Sequence, residues 1–106
     1  MSIYPRRANK SKDKSVTLHM KVINNGNYEI TGQIRFTITL PNYKSEYIEL
    51  NQVEKISPRS EIDRYYYYSI SDITEIGRYY VNGRFFWNGE DLISETKDND
   101  YFDVEE

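Results

Sequence analysis

Residues 76–89 read IGRYYVNGRFFWNG, and their side chains repeat in pairs. Tyr79, Val81, Gly83, Phe85 and Trp87 fall on one side, and Arg78, Tyr80, Asn82, Arg84, Phe86 and Asn88 on the other. A period of two belongs to an extended strand with one buried face, because successive side chains leave a strand in opposite directions. The apolar row carries the chain's single Trp, so the core is expected to form around it. The opposite row mixes Arg and Asn with the rings of Tyr80 and Phe86, more aromatic surface than a solvated face needs.

The same alternation recurs through most of the chain. Val16, Leu18, Met20 and Val22 oppose Thr17, His19 and Lys21, and Asn24-Asn25-Gly26-Asn27 then permits a reversal. Ile30, Gly32, Ile34, Phe36, Ile38 and Leu40 oppose Gln33, Arg35, Thr37 and Thr39 before Pro41-Asn42 stops the strand. Ile48 and Leu50 mark a shorter strand, and residues 52–60 read as a connection whose Val53 and Ile56 dip into the core. Ile62, Tyr66, Tyr68 and Ile70 share a side, with Tyr65 and Tyr67 opposite. Asn88-Gly89 signals a hairpin, Leu92 and Ile93 begin the return, and Phe102 with Val104 close the last strand. No window sustains apolar spacing at three and four residues, so no helix is expected.

About seven short strands separated by turns predict an all-β fold, an immunoglobulin-like β-sandwich of antiparallel strands in two sheets. Residues 1–15, polar and basic with Pro5, read as a flexible N-terminal arm with a short edge strand around Ile3 and Tyr4. Residues 16–106 form the sandwich domain. A chain of 106 residues fits one domain with a core of its own.

With 14 basic and 17 acidic residues the formal charge is -3, which supplies no global field for nucleic acid, so none is expected as a partner. The charge is uneven. Arg6, Arg7, Lys10, Lys12 and Lys14 crowd the start, and Asp98, Asp100, Asp103, Glu105 and Glu106 crowd the end. No apolar run reaches the roughly 20 residues that cross a bilayer, so membrane insertion is not expected. There is no cysteine, hence no disulfide, no thiol nucleophile and no Cys-based zinc site.

Chemistry is harder to assemble. His19 is the single histidine, on the outward side of its strand, without the convergent partners a triad or a histidine metal cage needs. Glu95, Asp98, Asp100 and Asp103 could cluster around calcium, but Phe102 and Asp103 interrupt the pattern of an EF-hand loop. The five glycines are scattered and cradle no phosphate. No catalytic, cofactor or metal residues are assigned, and the chain is read as non-enzymatic.

Three patterns in order resemble the CARDB domain, the cell adhesion related domain found in bacteria, and the wider fibronectin type III-like group. They are LHMKVINNGN from Leu18 to Asn27, Ile56-Ser57-Pro58 followed by Tyr66 to Tyr68, and Gly77-Arg78-Tyr79-Tyr80-Val81. Arg59 stands where that family has Gly. The resemblance implies a module of surface, adhesive and multidomain proteins. It places the chain at the cell surface if it is a mature fragment, and in the cytoplasm otherwise. Tyr79 sits where a tyrosine corner would turn its hydroxyl back onto the backbone of residues 71–75.

Two surfaces follow from this architecture. The outer face of one sheet would gather Arg35, Arg78, Tyr80, Arg84 and Phe86, and Arg with aromatic residues is the composition of binding hot spots. Self-association or a protein partner is the expectation there. Tyr65 and Tyr67 on the other sheet are the second surface, with stacking on a carbohydrate as the alternative function.

Overall fold

The computed structural model describes residues 1–87 and 100–106, and the backbone alone of residues 91–95. Nine strands follow in chain order: β1 (Ser2–Tyr4), β2 (Arg7–Asn9), β3 (Ser15–Asn24), β4 (Ile30–Thr39), β5 (Ser45–Ile56), β6 (Ser60–Ser69), β7 (Gly77–Trp87), β8 (Asp91–Glu95) and β9 (Asp100–Glu105). The small sheet runs β1-β3-β6 and the large sheet β2-β9-β7-β4-β5, with β8 also paired to β7. The fold is the expected β-sandwich, and no helix occurs among the described residues.

Alternation explains the core. Val16, Leu18, Ile34, Phe36, Ile38, Val81, Phe85 and Phe102 are fully buried, each contributing about 1.5–3 kcal/mol by leaving water. Gly32 has a packing reason: a Cβ there would lie 2.7 Å from the Phe85 ring, so its absence lets that ring lie against β4.

The first fifteen residues, expected as a flexible arm, supply β1 and β2, with Ile3 and Ala8 in the core. The chain crosses from the small sheet to the large one between them, at Pro5. As a result β2 lies parallel to β9, Arg7 beside Asp103 and Asn9 beside Glu105. The basic start and the acidic end of the chain are therefore neighbours. Arg6 Nη2 donates to Asp100 Oδ2 at 3.0 Å, and Asn9 Nδ2 donates to the Glu106 carbonyl at 2.9 Å.

Two core expectations need correction. Trp87 is 37% exposed, so the core does not form around its indole. The last β7 residue paired with β4 is Phe86, opposite Gln33, and Trp87 lies one position beyond. The stacked rings of Tyr79 and Phe102, 4.9 Å apart with Tyr68 tilted against both, lie within the buried interior instead. Val53 is exposed rather than inward, because β5 fits residues 51–53 opposite the single residue Gln33, a bulge that breaks its alternation. The Asn88-Gly89 turn lies outside the described residues.

Polar groups close the ends and edge of the sandwich. Asn24, 4% exposed, donates to the carbonyls of Tyr28, Ile56 and Ser57 and accepts from Gly26 N–H, which ties the β3–β4 turn to the β5–β6 turn. Arg64, on the inward side of β6, grips Glu54 of β5 with Nη2 at 2.8 Å from Oε1, a pair that bridges the two sheets. That hydrogen bond holds the Arg64 guanidinium more firmly protonated than usual.

Candidate functional site

The register of the large sheet assembles the first surface. Arg78 stands opposite Asp103, Tyr80 opposite Tyr101 and Thr39, Asn82 opposite Thr37, and Arg84 opposite Arg35, which itself faces Glu49. Arg35, Arg78, Tyr80, Arg84 and Phe86 thus share one outer face, as the alternation predicts. Their state is different from that of an open hot spot. Arg78 Nε donates to Asp103 Oδ1 at 2.8 Å, and Arg35 binds Glu49.

Rings and guanidinium groups are layered as well. The Arg78 guanidinium lies 4.0 Å from the centre of the Tyr101 ring, and that of Arg35 lies 4.6 Å from the centre of Phe86. Phe86 is buried beneath this cover at 5% exposure, where an open ring was expected. Long Arg stems shield apolar surface while the charged head meets a carboxylate. The hydrogen bond from Arg78 holds Asp103 below its ordinary carboxylate value, and that from Arg6 does the same for Asp100. Cations and anions on this face largely answer one another.

The small sheet presents a different surface. Register places Tyr4, Thr17 and Tyr67 in one row and Ser2, His19 and Tyr65 in the next. Tyr4 is 79% exposed, Tyr67 63% and Tyr65 52%, all on the outer face. The His19 imidazole stacks on Tyr65, centroids 4.6 Å apart and planes 12° off parallel, while its Nε2 lies 2.7 Å from Asp63 Oδ1. Strand geometry sets Tyr65 and Tyr67 about 7 Å apart along β6, and Tyr4 about 10 Å across the row from Tyr67.

Lysines lie at both ends of this aromatic face. Lys21 sits beyond His19 on β3, 3.6 Å from Glu61, and exposed Lys12 and Lys14 precede β3 at the other end. A cleft of about 240 Å³ beside the rings is lined by Met1, Ser2, His19 and Lys21. Alternation alone puts Tyr65, Tyr67 and His19 on outward positions. Tyr4 was missed as part of the site because nothing in the sequence says which strand β1 joins.

Tyr79 donates its hydroxyl to the Glu75 carbonyl at 2.6 Å, inside the segment where a tyrosine corner needs its acceptor. Burial pushes that hydroxyl's pKa up. Among the described residues no group of three His, Asp or Glu side chains could hold a metal. Of the four candidate calcium ligands, Asp100 and Asp103 are occupied by Arg6 and Arg78, and the side chains of Glu95 and Asp98 lie outside the described residues.

No protein-family model matches the chain, and no curated protein does. Among solved structures it is similar to the alkylpurine DNA glycosylase AlkC of Pseudomonas fluorescens bound to DNA containing an abasic-site analogue. The TM-score is 0.73 at 12% identity, over 98% of this chain and 29% of that one. At that identity the likeness is one of fold, and the chain spans less than a third of the matched protein.

This finding corrects four expectations. The CARDB resemblance has no family model behind it, since its three short patterns are strand and turn signals that many sandwiches share. The adhesive, self-associating or carbohydrate-binding reading gives way, because the matched fold belongs to a protein bound to DNA. The same match overturns the exclusion of nucleic acid that rested on net charge. It also overturns the non-enzymatic reading, because the fold forms part of an enzyme.

Proposed function

We propose that this chain is a nucleic-acid-binding module that stacks unpaired bases on the Tyr4, Tyr65 and Tyr67 face and serves the chemistry of a larger DNA- or RNA-acting assembly. The observation that carries the reading is the exposure of three tyrosine rings on the outer face of the three-stranded sheet, with exposed Lys12 and Lys14 before β3 and the Glu61-paired Lys21 further along it. Exposed rings on a sheet are a recurrent platform for single strands, because every base has a π-face and stacking contributes about 1–3 kcal/mol per base. The fold it shares with a DNA-bound glycosylase supports the same direction, since base-excision chemistry requires a base taken out of its stack.

The charge balance shapes the mode of binding. Lys12 and Lys14 precede β3 and Lys21 is paired with Glu61, so the logarithm of affinity should fall with the logarithm of salt at a slope of only about -1 to -2. Fluorescence anisotropy with a labelled oligothymidylate of about ten nucleotides tests this reading. The wild type binds, and the Tyr65→Ala/Tyr67→Ala double variant binds roughly 30-fold or more weakly. Equal binding by both proteins, or binding by neither, would contradict the proposal.

A further inference from the structure

The outer face of the small sheet alternates rings and gaps, and one gap has the shape of a slot. In the row Ser2, His19, Tyr65 the two ring centroids are 4.6 Å apart, close to the roughly 4.8 Å between neighbouring strands. The rings therefore stand side by side, each over its own strand, and the second face of the imidazole looks over β1. The residue in register there is Ser2, too small to cover it. Asp63 Oδ1, 2.7 Å from His19 Nε2, holds the imidazole in place from the β6 side.

This gap is the cleft of about 240 Å³ lined by Met1, Ser2, His19 and Lys21. It is smaller than the roughly 300–1,000 Å³ of a pocket that encloses a drug-sized molecule, and it suits one flat ring. Met1 packs against the core and so gives the slot an apolar wall. Among the described residues no carboxylate lines it: Glu61 and Asp63 belong to β6, on the far side of β3 from Ser2. Lys21 does line it. Its ammonium lies 3.6 Å from Glu61 with both side chains about half exposed, an ion pair that holds it loosely. A lysine carries three donors, so Glu61 leaves some of them for a ligand.

We infer that this slot takes a single guanine of the bound strand, stacked on the free face of His19, with Lys21 donating to the base's neighbouring O6 and N7. Stacking itself is indifferent to sequence, because every base has a π-face. Discrimination comes from the edge. Guanine presents two adjacent acceptors to a lysine, whereas adenine presents an acceptor beside a donor, and thymine one acceptor beside a methyl group. Guanine, imidazole and the Tyr65 ring then form one column of three layers across the sheet. The inference rests on the nucleic-acid reading above and adds which base the face selects.

Anisotropy titrations with three labelled strands of about ten nucleotides test it: oligothymidylate, and the same strand with one central guanine or one central adenine. Each is titrated against the wild type, Lys21→Met, Ser2→Tyr and Tyr65→Ala/Tyr67→Ala. Both single substitutions fall on outward strand positions; methionine keeps the apolar stem, and tyrosine suits a strand while filling the slot with its own ring. The wild type should bind the guanine strand about tenfold more tightly than the other two. Lys21→Met and Ser2→Tyr should erase that preference while holding oligothymidylate affinity within about threefold. Equal wild-type affinity for the guanine and thymine strands, an equal gain from adenine, or a preference that survives either substitution overturns the slot. Oligothymidylate binding that needs the tyrosines, without a guanine preference, removes the slot and keeps the platform. A guanine preference that needs Lys21, at an affinity unchanged by Tyr65→Ala/Tyr67→Ala, keeps the slot and removes the platform. No binding to any strand removes both.

Discussion

The two outer faces of this sandwich use similar residues, rings and charged groups, to opposite ends. On the large sheet each of Arg6, Arg35 and Arg78 is set beside a carboxylate and over a ring, so cation, anion and aromatic surface satisfy one another. On the small sheet three tyrosines stand in water with a single imidazole stacked among them. An inventory of residue types favours the first face as an interface. Register favours the second, because it decides whether a guanidinium is already engaged. Surface ion pairs add little stability individually, but they leave few groups free for a partner.

The sharpest way to break this comparison is to move the mutations between faces. Tyr65→Ala/Tyr67→Ala should cost about 2–6 kcal/mol of single-strand binding, whereas Arg35→Ala/Arg78→Ala should change affinity less than about threefold, both read by anisotropy. Separating the sheets comes next in size. Glu54→Ala leaves Arg64 without its carboxylate between the layers and should lower unfolding stability by about 2–3 kcal/mol in urea. That is less than for a fully buried pair, because the Arg64 side chain keeps 35% of its surface in water. Both faces should weaken together in that variant.

A smaller effect is expected at the corner beneath the large sheet. Tyr79→Phe removes the hydroxyl bond to Glu75 and leaves a carbonyl to find water, for about 1 kcal/mol in thermal or urea unfolding, with nucleic-acid binding unchanged. The smallest prediction concerns acid. Asp103 and Asp100 titrate below 3.8 when folded, so their pairs stabilise the large sheet fully above that value. The contribution is lost as pH falls through the lower folded values. Arg78→Met should return Asp103 towards 3.8 in a carboxyl NMR titration while leaving the small-sheet rings undisturbed.

Much of the fold was legible because alternation is a local property. Leu18, Phe36, Val81 and Phe102 reveal their burial by parity alone. Lost from view was everything set by partners distant in sequence. The basic cluster around Arg6 and the acidic cluster around Asp103 were visible, but nothing local says that β2 and β9 run side by side. Arg64 breaks the apolar parity of β6, and only Glu54 on the facing edge explains it. Phe86 read as exposed because Arg35 covers it from a different strand. Tyr4 and His19 join Tyr65 and Tyr67 through strand register, so the platform became visible only with the sheet assembled.

The most direct measurement is an amide and ring NMR titration of the whole chain with an oligothymidylate. Shifts concentrated at Tyr4, Thr17, His19, Tyr65 and Tyr67, with Arg35, Arg78 and Tyr80 silent, are what this account predicts. Shifts centred on the Arg78 and Tyr80 face, or no shifts at all, would contradict it.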